Sequence, residues 1–204
     1  MLSFFLSIAL SNSAEATTMV PLSIEQIVDV STTIVRGTVT EVWTEPDEQT
    51  GTIWTHAQVE VDRVIKGERN TEVVIIEQPG GIWGTKQTSV ESVARFSIGE
   101  EGYFFVEELS NGRSVSVGMF QGKFNIIFDP YSRQELALRF PVSETAPFDH
   151  RFIPLPPEHA RLTAVDFEHR IKQRLDDGWD GKSIPGISDQ KLREINQKTP
   201  ENQP

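Results

Sequence analysis

From Ile53 the chain alternates between two residue classes: one parity holds Ile53, Thr55, Ala57, Val59 and Val61, the other Trp54, His56, Gln58, Glu60 and Asp62. Side chains on a strand point to opposite faces with period two, so this pattern fits a sheet with one buried and one solvated face. A helix would need its apolar residues three and four apart. The parity slips at Val64-Ile65, just before Lys66-Gly67, which predicts a bulge there.

The neighbouring segments read the same way. TIVRGTVTEVWTE from Thr33 forms a first strand, with Gly37 marking a bend or a close backbone approach. TEVVIIEQPGG supplies a third, and Val73-Val74-Ile75-Ile76, apolar on both parities, predicts cover on both faces. Tyr103 to Glu107 is a fourth strand, and Asn111-Gly112 predicts a type I′ hairpin turn after it. The segment from Ser114 to Phe128 follows, bent or divided at Gly118 and Gly122. After a turn at Asp129-Pro130-Tyr131-Ser132, Leu136, Leu138 and Phe140 alternate in a last strand. Before the first strand, Ser23 and Gln26 form a capping box for a short helix over Leu22–Val30 that plugs one end. Ala160 to Leu175 carries a helical stripe of Leu162, Val165, Phe167, Ile171 and Leu175. The expected fold is all-β with peripheral helices: a five- or six-stranded OB-like antiparallel barrel, closed or partly open, with a short N-terminal and a C-terminal helix.

The domain plan follows. Residues 1–16 read as a signal peptide, with an apolar run from Leu2 to Leu10 and a small-x-small site at Ala14-Glu15-Ala16, although no Lys or Arg precedes the run. Residues 17–141 form the barrel, 142–157 a proline-spaced linker and 158–177 a helix packed on the barrel, while 178–204 form a polar tail expected to lack structure. The leader implies a periplasmic or secreted protein. Among 204 residues there is no cysteine, so disulfide and thiolate chemistry is excluded. A net charge of -11 repels phosphate backbones, which argues against nucleic acid, and no later stretch is long and apolar enough to span a bilayer.

Catalytic and cofactor motifs are missing. The glycines of Gln78-Pro79-Gly80-Gly81-Ile82-Trp83-Gly84 are not followed by the GK[ST] of a phosphate loop. Asp176 to Lys182 resembles the start of a calcium loop, but Gly178 offers no ligand and Ile187 stands where the bidentate Glu belongs. His56, His150, His159 and His169 show no i, i+4 zinc-protease spacing, and no serine lies in a G-x-S-x-G or S-x-x-K setting. No cofactor and no metal ligand is expected. The aromatic residues carry more information: Trp54 falls on the polar parity and Trp83 follows a glycine pair, as interface anchors do. The candidate interface is Trp54, Gln78, Trp83, Phe120 and Gln121, with Gln78, Trp83, Phe120 and Gln121 expected at one rim; the alternative for Trp54 is cover by a loop or by the helix at 160–175.

The order of landmarks resembles a netrin-type domain, the OB-like barrel of tissue inhibitors of metalloproteinases and complement C-terminal modules. TIVRGTVTEV, VEVDRVIKG, VVII, IGEEGYFFV and RSVSVGMF carry it, over roughly Ser31 to Phe128. The chain is also similar, more closely, to uncharacterised secreted bacterial proteins. There the matching residues are Val35 to Val39, Ile65-Lys66-Gly67, Pro79 to Gly84, Phe96 to Glu100 and Gln121 to Phe124. Netrin-type inhibitors reach a protease zinc through an N-terminal cysteine, which this chain lacks. The resemblance therefore implies the barrel and a binding role. The expected function is an exported, non-enzymatic module for a protein partner. The alternatives are a carbohydrate or small-ligand binder, or a hydrolase with a dispersed site.

Overall fold

The computed structural model describes residues 20–139 and 161–198. The expected leader, the linker, Phe140, His150 and His159 lie outside the described residues.

Two 14-residue strands, β1 (Thr33–Pro46) and β2 (Ile53–Lys66), form the spine, paired antiparallel from Ile34↔Lys66 to Pro46↔Ile53. The expected bulge falls on Ile65, which is skipped between the pairs Ile34↔Lys66 and Val35↔Val64. Val64 then packs inside the barrel, while Ile65 packs in a second core outside it. Gly37 lies where a Cβ would collide with the Glu60 carbonyl, the close backbone approach its position suggested.

β3 (Val73–Pro79) lies against β2, and β4 (Gly81–Trp83) with β5 (Lys86–Thr88) forms a small separate hairpin. β6 (Glu101–Glu108) pairs with β1, and β7 (Ser114–Ser116) joins β6 to β3. The ring is therefore β1-β2-β3-β7-β6 and back to β1, antiparallel except where β3 and β7 run parallel through the single pair Glu77↔Val115. This is the expected OB-like barrel, partly open at the β3–β7 seam. β8 (Lys123–Asp129), β9 (Gln134–Leu138) and β10 (Arg161–Thr163) continue the sheet outward from β6. Gly118, at φ 57°, ends β7 and starts a 3-10 turn over Met119–Gly122 that leads into β8.

The turn before β7 departs from expectation. Of Asn111 and Gly112, Gly112 alone has positive φ, 82°; its N–H donates to the Leu109 carbonyl at 2.9 Å, and the Leu109 N–H to the Arg113 carbonyl at 2.8 Å. That is a three-residue loop closed by a glycine bulge rather than a type I′ turn.

Two cores meet at the wall formed by β1 and β6. Val35, Val39, Val59, Val74, Ile76, Phe104 and Val106 fill the barrel. Ile34, Tyr103, Phe105 and Phe124 point the other way, into a layer closed by helices. Every residue from Gly102 to Val106 is buried, so β6 is the strand covered on both faces. The expectation had assigned that role to β3, where Val73 and Ile75 are instead 47% and 42% exposed. The apolar runs look alike, but helices cover only one side of the ring.

Those helices are α1 (Ile24–Val30), α2 (Ala164–Asp177) and α3 (Asp189–Lys198). The capping box at Ser23 and Gln26 is present. α2 begins later than expected, because Arg161 to Thr163 add a strand and Thr163 caps the helix. Its buried face is Ala164, Phe167 and Ile171, and Val165 is exposed. Phe167 packs at a tilt against Tyr103 and Phe124, with ring centroids 5.0 Å and 4.5 Å apart. The stretch from Gly178, expected to be a tail without structure, carries α3 and sends Ile184 and Leu192 into the same core. Among the described residues no helix is long and apolar enough to cross a membrane.

Candidate functional site

The candidate interface residues do not form one exposed surface, because Gln78 and Gln121 are buried. Thr44 and Thr55 face one side of the β1–β2 ribbon, where their hydroxyls donate to the Ile82 and Gly80 carbonyls at 2.6 Å and 2.7 Å. The β4–β5 hairpin is thereby tied to that side. Trp54 has the opposite parity, so it points to the other face of the ribbon, away from Trp83. Gln78 pairs across from Thr55 and is buried. Gln121 is buried as well; its side chain accepts from the Leu22 N–H at 2.7 Å and donates to the Val20 carbonyl at 3.1 Å, holding the N-terminal segment against the 3-10 turn. Phe120 is half-buried in that turn. Of the five, Trp83 is half exposed on the hairpin, and Trp54 lines a cleft.

The cleft lies on the outer face of β2 and β3, bordered by the loop between β1 and β2 and by the loop before β7. OB-type barrels bind their ligands at the corresponding place. It encloses about 400 Å³ and is lined by Glu45, Asp47, Glu48, Trp54, His56, Glu77 and Arg113 among others. His56, expected on a solvated face, is buried instead. Trp43 stacks flat against it, with centroids 5.1 Å apart and planes 11° apart. Its Nε2 lies 3.2 Å from Glu45 Oε1 and its Nδ1 3.7 Å from Glu77 Oε1. Neither contact counts as a hydrogen bond, and Nε2 is a buried atom without one.

Arg113 joins the two loops. Its guanidinium pairs with Glu77 and with Asp47 and lies 4.1 Å from the Trp54 ring centroid. Stacking an arginine on an aromatic face while it bridges two carboxylates uses the planar, multidentate character of the group. The Asp47 carboxyl is held down to about 2, first by the Thr50 N–H and hydroxyl and then, against a small desolvation cost, by Arg113. Asp47 Oδ1 accepts from the Gln49 and Thr50 N–H groups at 3.1 Å and 2.8 Å, which fixes the β1–β2 loop.

No serine, threonine or cysteine nucleophile lines the cleft, and both ring nitrogens of His56 face carboxylates. The arrangement is a charged, aromatic-lined cleft. Among the described residues no cluster of three or more His, Asp or Glu side chains is placed to hold a metal ion. The loop resembling a calcium site instead pairs Asp180 with Lys182 at 2.9 Å and with Arg174 at 3.4 Å. Sequence reasoning missed this cleft because its members are scattered from Glu45 to Arg113, and only strand register brings them together. Trp43, Glu45, Trp54 and His56 do share one parity of a hairpin, and that was the available signal.

Comparison with family models, with characterised proteins and with solved structures finds no significant match.

Proposed function

We propose that the chain is an exported, non-enzymatic binding module that engages a protein partner through the end of its β1–β2 ribbon. The observation that carries this reading is the β4–β5 hairpin: Ile82 and Trp83 are 61% and 50% exposed on a short ribbon outside the main sheet. Exposed tryptophan and aliphatic side chains on a tethered hairpin supply the apolar anchor that protein interfaces use. Export rests on the N-terminal sequence pattern. Nucleic acid is disfavoured as a ligand, because the net charge of -11 is matched by an acidic cleft at the place where OB-type barrels would hold it. The resemblance of the sequence to netrin-type domains agrees with a binding role.

The test is affinity capture from the protein's own exported fraction, with the mature chain beside Trp83→Ala and Tyr131→Ala. Tyr131 is 96% exposed in a distant turn and serves as the control. A partner retained by the parent and by Tyr131→Ala but lost by Trp83→Ala supports the reading. Capture of nothing, or equal capture by all three proteins, contradicts it.

A further inference from the structure

Four carboxylates, from Glu45, Asp47, Glu48 and Glu77, face one guanidinium in the cleft. Arg113 engages two of them, Asp47 and Glu77. Glu45 is half exposed with His56 as its described partner, and Glu48 is exposed and makes no hydrogen bond or ion pair among the described residues. The cleft therefore carries negative charge in excess, beside an aromatic ring that already accepts one cation on its face.

A second observation is independent of that charge. His56 is 8% exposed at its side chain, and its Nε2 makes no hydrogen bond although it lies beside Glu45 at the cleft wall. A buried polar atom left without a partner is costly, and a native structure rarely keeps one without a reason. In the neutral ring that carries its proton on Nδ1, beside Glu77, Nε2 is an acceptor. An acceptor nitrogen next to an acceptor carboxylate repels; one donor between them satisfies both. Ammonium and guanidinium groups are such donors, with several N–H bonds and no acceptor.

We propose that this cleft receives the basic side chain, lysine or arginine, of a protein partner. The charged head donates to Glu45 and His56 Nε2, with Glu48 beside it and the Trp54 edge as an apolar wall for the stem. Glu45, half exposed, swings to admit it. This inference rests on the reading of the chain as a protein-binding module, but uses the ribbon face opposite Trp83.

The experiment is a two-dimensional NMR titration of the full chain with Nα-acetyl-argininamide and Nα-acetyl-lysinamide, with Nα-acetyl-glutaminamide as a neutral match. The expected result is saturable shifts of the Trp54 indole N–H and of the amides of residues 45–49, weakening as salt is raised. Glu45→Gln combined with Glu48→Gln alters two exposed side chains, leaves the melting temperature unchanged and weakens binding on the order of tenfold or more. Equal shifts with the neutral compound, shifts that do not saturate, or an unaffected double variant would overturn the proposal. Affinity capture with the same double variant separates the two readings. If a partner is held as well as by the parent, the cleft inference fails and the protein-binding reading stands. If nothing is captured while the arginine compound binds, the cleft serves a free cation and the protein partner is rejected for both.

Discussion

Arg174 of α2 grips Asp29 of α1 with two hydrogen bonds, Nε at 2.9 Å and a terminal nitrogen at 2.6 Å. The aspartate side chain is 5% exposed and the arginine 12%, so this is a buried ion pair that clamps the helical layer. Burial pushes the Asp29 carboxyl up, and Arg174 offsets that only in part. Such a pair contributes little net stability while intact, but removing one partner strands the other. Arg174→Ala is expected to cost about 3–5 kcal/mol by urea unfolding, whereas Asp29→Asn with Arg174→Met costs much less. A single variant as stable as the parent would show that the clamp does not hold in solution.

The neighbouring pair sets an acid response. Burial raises the Glu25 carboxyl, but hydrogen bonds and charge from Arg170, with help from its own N–H and Ser23, override this and hold it near 2 instead of the usual 4.5. A folded-state value below the unfolded one means stability that is complete above about pH 4.5 and is lost as pH falls towards 2. Asp47, also held near 2, adds in the same direction. Melting curves of the parent and Glu25→Gln should therefore differ at pH 6 and converge near pH 2. A difference that grows on acidification would reverse the sign and refute the argument.

The two apolar strands should respond differently to substitution. Ile75 is 42% exposed on β3, so Ile75→Asp should fold and change stability by about 1 kcal/mol or less. Phe105 of β6 is fully buried between rings, and Phe105→Ala should cost about 3–5 kcal/mol. Chemical denaturation of the two variants decides the matter. Comparable losses would mean that β3 is covered after all.

Residues 178–198 are expected to contribute to the core. Ile184 and Leu192 are 3% and 8% exposed there. Leu192→Ala should destabilise by about 2 kcal/mol or more, and a chain ending at Asp177 should bind a hydrophobic dye. A truncated chain that melts like the parent and binds no dye would remove α3 from the folded unit.

Much of the barrel was legible because strand periodicity is local. Alternation at Ile53–Val61, the parity slip at Val64-Ile65, the glycine at 37 and the capping box at Ser23 each concern residues a few positions apart, and each appears in the structure. What periodicity cannot say is what lies over a face. Val73–Ile76 and Tyr103–Val106 are equally apolar, but the helical layer covers only the latter, because β6 sits in the ring wall that α1 and α2 pack against. The same limit hid His56: its neighbours Trp43, Glu45 and Glu77 become neighbours through the β1–β2 and β2–β3 registers, and Arg113 arrives from the loop before β7. It also set Trp54 and Trp83 on opposite faces of one ribbon, a separation that depends on where the β4–β5 hairpin folds back. Local sequence determined the long strands of the ring, the bulge at Ile65 and the close approach at Gly37. Which faces were buried, and which distant charges met, was decided by long-range register and by the one-sided placement of the helices, because burial belongs to the packed molecule as a whole.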